Sequence, residues 1–592
     1  MKFVGKWSCM LAVAGTVTTL LGGCGGGTGI GATVATSTTQ ASPLLRSTQY
    51  GQIEGASEAT SETYAWKGIP FAKPPVGSLR WKAPVEPDNW SAVLSTKSFG
   101  NACAQYGRIY GPGSNNTYDA TIGTTLNQAV GSEDCLTLNI WRPASTDTNL
   151  PVIYFIYGGS NVSGYTADPV YDGAALAKTA NAVVVTANYR VGLFGWLSLP
   201  QLKSGTNAQE DSGNFGTLDQ IQTLKFINRN IANFGGNPGN VTVMGQSAGA
   251  INVYSLLTSP LVVNNSTQLF HRAVPISGGI STAGELPAGS IALVNSSATA
   301  LAQGNKLLYS LLIADGKASD DTTAAAFAAT QTSAQIADYM RTKTPSQIFT
   351  QLLTRLAPAG LSSTSHIPDG AVVANTPIAA INAGNYLKVP VLASNTAEET
   401  KLFAAFLALS PALGGQPGLI VNDATRFGMM YNFNPDAAAT LTVNDLINPV
   451  YLPVDTPTTG YNARLALLNN LFFVPNRDSV LNALKSRQAN VWYYQFNWNK
   501  APAPWNDVYG AAHAFDLPFL FGNFGPSLFS NVTNSAANQG GRLALSSAMM
   551  STIAAFARNG DPNNAALGVT WPAWPQKLIF DATLTNKNIS VQ

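Results

Sequence analysis

One serine in the chain stands between glycines two residues to either side, in Gly245-Gln246-Ser247-Ala248-Gly249. A hydroxyl is a weak nucleophile, so this spacing does chemistry only in a sharp strand-to-helix turn. There the flanking glycines clear room and Ser247 Oγ projects at a helix N-terminus, where the dipole and free N–H groups favour a developing oxyanion. The chemistry would be acyl transfer through a covalent serine intermediate; the bland reading is a serine in an ordinary turn. A second feature fits the first. An apolar run, 152–157, leads into Gly158-Gly159-Ser160, and the backbone N–H groups of Gly159, Ser160 and Ala248 are candidate donors to a tetrahedral oxyanion.

A general base must come from only three histidines. His271 lies between a helical pattern and a strand and reads as structural. His366 precedes the turn Ile367-Pro368-Asp369-Gly370, while His513 sits in the small-residue run Gly510-Ala511-Ala512-His513-Ala514. When a serine, an acid and a histidine act together in a strand–turn–helix fold, they follow one another in that chain order, which favours His513 over His366 and disfavours His271. The orienting carboxylate then falls between Ser247 and His513. Glu398 and Glu399 follow an apolar strand within a few residues, at the end where parallel sheets present functional side chains. Spacing alone does not choose between them.

These groups need a scaffold. Apolar, β-branched or aromatic runs recur at 152–157, 182–189, 241–244, 273–277, 389–394 and 491–497, several nearly continuous in hydrophobicity. Strands covered on both faces read this way. Helical patterns alternate with them, for example 218–233, so the fold class is α/β, with a large, mostly parallel central sheet and helices on both faces. The Ala-rich stretch 281–356 reads as a helical insertion over the sheet edge. No repeat is visible, and 45–592 reads as one catalytic domain.

The N-terminal end reads differently. Lys2 and Lys6 precede a mostly apolar run, 10–21, too short and too rich in Thr and Gly to span a bilayer, which ends in Leu21-Gly22-Gly23-Cys24. Residues 1–23 resemble a bacterial lipoprotein signal, in which Cys24 is acylated and becomes the new N-terminus; the alternative is an ordinary signal peptide. A Gly/Thr/Ala/Ser-rich tether, 24–44, follows. The expected location is therefore the bacterial cell envelope, lipid-anchored at the outer membrane or in the periplasm, or otherwise secreted. Of four cysteines, Cys9 leaves with the signal and Cys24 carries lipid. Cys103 and Cys135 remain, in a chain bound for an oxidising compartment. Pairing them closes a loop of roughly 30 residues, worth about 3–4 kcal/mol in the loop-entropy account. The net charge of +2, with charged residues at 11%, supplies no basic excess to hold phosphates, so nucleic acid is not a partner.

Taken together, the motifs resemble the type-B carboxylesterase/cholinesterase family over nearly everything after the tether. The stretches that carry the resemblance are Lys67-Gly68-Ile69-Pro70-Phe71-Ala72, Leu79-Arg80-Trp81, Ser132-Glu133-Asp134-Cys135-Leu136, Asn188-Tyr189-Arg190, Gly213-Asn214-Phe215-Gly216, Asn233-Phe234-Gly235-Gly236-Asn237-Pro238 and Trp571-Pro572-Ala573-Trp574-Pro575. The resemblance implies an α/β-hydrolase fold, an acid at Glu398 and a base at His513. It supports a Cys103–Cys135 bridge and implies an ion pair between Arg80 and Glu133. Three departures stand out. Ser160 replaces the third glycine of the family's oxyanion turn, and Gln246 replaces the usual acid before the nucleophile. The Cys103–Cys135 loop has no Trp to hold a choline ammonium by cation–π contact, only Tyr106, Tyr110 and Tyr118, which argues against choline esters.

The expected function is hydrolysis of a small-molecule carboxylic ester through an acyl-enzyme on Ser247. No metal and no organic cofactor is implied, and a membrane enters only through the lipid anchor. The competing readings are a lipase acting on longer acyl chains, hydrolysis of amides, and a non-catalytic binding protein on the same scaffold.

Overall fold

Eleven strands make one sheet in the computed structural model, which describes residues 42–592. The signal segment, Cys24 and nearly all of the tether lie outside the described residues. In chain order the strands are β1 (Ala56–Glu58), β2 (Thr63–Pro70), β3 (Thr137–Pro143), β4 (Leu150–Ile156), β5 (Val183–Ala187), β6 (Gly236–Gln246), β7 (Arg272–Ile276), β8 (Val391–Thr396), β9 (Val491–Phe496), β10 (Leu578–Ala582) and β11 (Lys587–Val591). Their spatial order is β11-β10-β9-β8-β7-β6-β4-β5-β3-β2-β1. The stretch from β10 through β4 to β5 is parallel throughout, and antiparallel strands close both flanks. All six apolar runs read from sequence are strands of the parallel part.

The main covering helices are α1 (Phe215–Asn230), α2 (Ala248–Thr258), α3 (Ser297–Ala314), α4 (Tyr461–Lys485) and α5 (Gln539–Asn559). Both α2 and α5 pack on β4 and β6. Every residue of β4 and of β5 is buried, as strands roofed on both faces require. The chain steps outward from β4 to β5, then returns to place β6 on the other side of β4. That reversal is a switch point, where loops at the strand C-termini diverge and leave a crevice.

The insertion 281–356 forms α3 and three shorter helices, Asp321–Ala329, Ser333–Arg341 and Pro345–Gln351. It differs from the reading over the sheet edge. Its apolar cluster, including Leu307, Leu311, Ile336 and Phe349, is completed by Trp81, Leu193, Phe194 and Phe215, residues of loops and helix starts rather than of the sheet. Two ties hold the surrounding loops. A disulfide joins Cys103 to Cys135, and next to it Arg80 grips both carboxylate oxygens of Glu133, with Nε to Oε2 at 2.7 Å. Arg80 also donates to the Lys343 carbonyl at 2.6 Å, which fastens the insertion to this loop. Among the described residues no helix is long and apolar enough to cross a membrane.

Candidate active site

The C-terminal ends of β4, β6 and β8 and the loop after β9 converge on one cavity of about 440 Å³. Ser247 occupies the turn between β6 and α2 with φ 59° and ψ −122°, a strained conformation for a residue with a side chain. The flanking glycines explain why the turn exists. A Cβ on Gly245 would fall 2.3 Å from the Gly249 carbonyl oxygen, and one on Gly249 would fall 2.0 Å from that of Ile156. The turn is pinned to the sheet by the Ser247 N–H, which donates to the Ile276 carbonyl at 2.8 Å.

Beside it runs the glycine turn after β4. A Cβ on Gly158 would meet Ser247 Cβ at 2.8 Å, so only a glycine lets the two turns touch. Gly159 and Ser160 both have positive φ, 99° and 59°. Among the described residues the N–H groups of Gly159, Ser160 and Ala248 donate to no protein acceptor, and Gly158, Gly159 and Ser160 line the cavity with Ser247. Free donors at a helix start and a glycine turn are what an oxyanion needs.

His513 lines the same cavity and is buried, its ring between Phe403 and Phe473 at 5.0 and 5.2 Å between centroids. Nδ1 meets Glu399 Oε2 at 2.5 Å. This corrects the assignment of the acid to Glu398. The Glu398 carboxylate is spent on the backbone of the histidine loop, accepting from the Ala511 N–H at 2.9 Å, and on Lys401 Nζ at 2.6 Å. Glu399, one residue on, turns inward and is fully buried. Its other oxygen accepts from Asn395 Nδ2 at 2.9 Å and from the Thr396 N–H at 2.8 Å. Burial acts to raise the Glu399 carboxyl, but the adjoining His513 and the hydrogen bond from Asn395 outweigh it and hold the acid below its usual range. Local spacing does not separate the two glutamates, since Asn395-x-x-Glu398 and Thr396-x-x-Glu399 are equivalent; the contacts each one meets in the fold do.

With Nδ1–H toward Glu399, Nε2 carries the lone pair, and Gln246 Nε2 donates to it at 3.1 Å. That contact was not legible in sequence. Neither was Asp516, which is fully buried with both carboxylate oxygens lacking a partner among the described residues, and which burial and the nearby Glu399 push up to about 8. The other histidines stand apart. His271 Nδ1 accepts from the Val241 N–H at 3.2 Å. His366 is fully buried against Trp196, has no partner on either nitrogen among the described residues, and is pushed down to about 3 by burial.

A family model described as the carboxylesterase family matches residues 42–589. The chain belongs to the carboxylesterase family. It is 31% identical over 548 residues to the para-nitrobenzyl esterase of Bacillus subtilis (strain 168), covering 91% of this chain and 95% of that one. It is 30% identical over 540 residues to carboxylesterase 1C of Rattus norvegicus, covering 89% and 86%. A solved PNB esterase superposes with a TM-score of 0.68 at 27% identity, covering 93% of this chain and 97% of that one. The protein is thus a serine carboxylic-ester hydrolase of the α/β-hydrolase fold. The rest of this esterase's cavity lining is mixed. Leu402, Phe403, Phe406, Leu419 and Ile420 form an apolar wall, and Arg108, Tyr110, Asp168 and Arg426 stand on the remainder. Among the described residues no cluster of three or more His, Cys, Asp or Glu is arranged to hold a metal.

Proposed function

We propose that Ser247 is the nucleophile, His513 the general base and Glu399 the acid that orients it. The observation that carries this reading is the short contact between His513 Nδ1 and a buried, ionised Glu399, in the cavity lined by a strained Ser247. His513 takes the Ser247 proton as Oγ attacks the ester carbonyl. The N–H groups of Gly159, Ser160 and Ala248 hold the oxyanion, and His513 then protonates the departing alcohol. Water, deprotonated by the same ring, releases the acid. Gln246 meets Nε2 through an uncharged amide, so it steers the ring without adding a charge beside the reaction.

Chromogenic esters from acetyl to long-chain acyl test this. Ser247→Ala should lower kcat by roughly a million-fold on the best of them; a mutant that retains turnover removes Ser247 from the role. A longer-chain, lipase-like preference is the second reading, favoured by Phe406 and Ile420, which line the cavity yet remain 39% and 52% exposed. The acyl-length optimum separates the two.

The sequence Leu21-Gly22-Gly23-Cys24 supports an exported enzyme anchored at the bacterial envelope by lipid on Cys24. Mass spectrometry of the mature N-terminus reads this directly, and an unacylated Cys24 or another cleavage site would overturn it.

A further inference from the structure

The cavity wall built by the Cys103–Cys135 loop carries charge that catalysis does not use. Arg108, within that loop, lines the cavity half-buried, and its guanidinium makes no ion pair among the described residues. Its one aromatic neighbour is Tyr110, whose ring centre lies 5.9 Å from Cζ. Arg426 is a second cavity-lining guanidinium and is nine-tenths buried. Arg426 gives one nitrogen to Asp423 at 2.7 Å, while its Nε has no partner among the described residues. Two guanidinium groups therefore share one cavity, and the single carboxylate that pairs with either of them, Asp423, is itself mostly exposed.

The remaining charged cavity residue is Asp168. It accepts from the Val170 N–H at 3.0 Å and, among the described residues, forms no ion pair with either guanidinium. A buried, partly unsatisfied guanidinium in the same cavity as an unpaired one is a costly arrangement without a counter-ion, and its planar fork matches a carboxylate.

We propose that the corner formed by Arg108, Tyr110 and Arg426 is a subsite for a carboxylate carried by the ester substrate, so that the enzyme favours anionic esters over neutral ones of the same length. This rests on the ester-hydrolase reading and adds the substrate class. It also inverts the sign of the loop: where a cation-holding Trp is missing, the loop presents a cation.

The test compares kcat/KM within two matched pairs. The para-nitrophenyl monoester of glutaric acid is set against para-nitrophenyl pentanoate, and para-carboxyphenyl butyrate against phenyl butyrate. The wild type should favour the anionic member of at least one pair by about tenfold, with the advantage shrinking as salt is raised. Arg108→Gln should cut that ratio by about tenfold and Arg108→Lys should keep part of it. A wild-type ratio at or below one in both pairs overturns the proposal. So does an Arg108→Gln variant that slows both members equally. Cleavage of no ester at all would instead strike the hydrolase reading. The subsite is then read without turnover, by calorimetric titration of glutarate into Ser247→Ala and Ser247→Ala/Arg108→Gln: binding lost with Arg108 supports it, and no binding to either overturns it.

Discussion

Two buried histidines in this esterase have opposite surroundings. His366 is enclosed against Trp196 with neither nitrogen partnered among the described residues, and burial alone drives it down to about 3. His513 is as deeply enclosed between two phenylalanines, yet Glu399 meets Nδ1 and Gln246 meets Nε2. The difference teaches what makes a buried imidazole a base. An apolar cage stabilises only the neutral ring, so the ring cannot hold a proton. A buried carboxylate on Nδ1 fixes the tautomer and stabilises the imidazolium that forms during turnover.

The largest expected break in this comparison is kinetic. His513→Ala should lower kcat by about 10⁵-fold or more, whereas His366→Leu should leave it within about threefold, both read on one chromogenic ester. A large loss at His366 would mean that the two surroundings are not functionally distinct.

Smaller effects appear in stability against pH. His366 has a folded-state pKa below its unfolded one, so the unfolded chain takes up the proton first. Its contribution is whole above about 6.5 and is lost as pH falls toward about 3. Wild type should therefore lose up to about 1.4 kcal/mol per pH unit in that window relative to His366→Leu. Asp516 has the opposite sign. Its folded-state pKa is raised to about 8, so the penalty for its charge grows as pH rises from about 4. Asp516→Asn should gain in Tm over wild type from pH 5 to pH 8, and a gain that shrinks over that range would contradict the assignment.

Much of this was legible in sequence because parallel strands are written as continuous apolar runs, and all six such runs are strands. The antiparallel flanks were not. β11 (Lys587–Val591) has no fully buried residue and interrupts its apolar Ile589 and Val591 with Lys587, Asn588 and Ser590, so no apolar run marks it. The nucleophile turn was legible because its glycines answer local clashes, at Gly245 against the Gly249 carbonyl for example. The acid was missed by one residue for a tertiary reason. Past the end of β8, side-chain direction is set by what each glutamate meets, and Ala511 and Lys401 claim Glu398. The Gln246–His513 contact joins residues 267 apart, a separation that no local pattern records.

The most direct test of the central claim compares Glu399→Gln with Glu398→Gln in kcat on the best chromogenic ester, both proteins being checked for folding. The account predicts a loss of about 10⁴-fold for Glu399→Gln, because an amide in that place no longer supports the reactive tautomer or the imidazolium. It predicts less than about tenfold for Glu398→Gln, which only loosens the histidine loop. Equal losses, or the larger loss at Glu398, would contradict it.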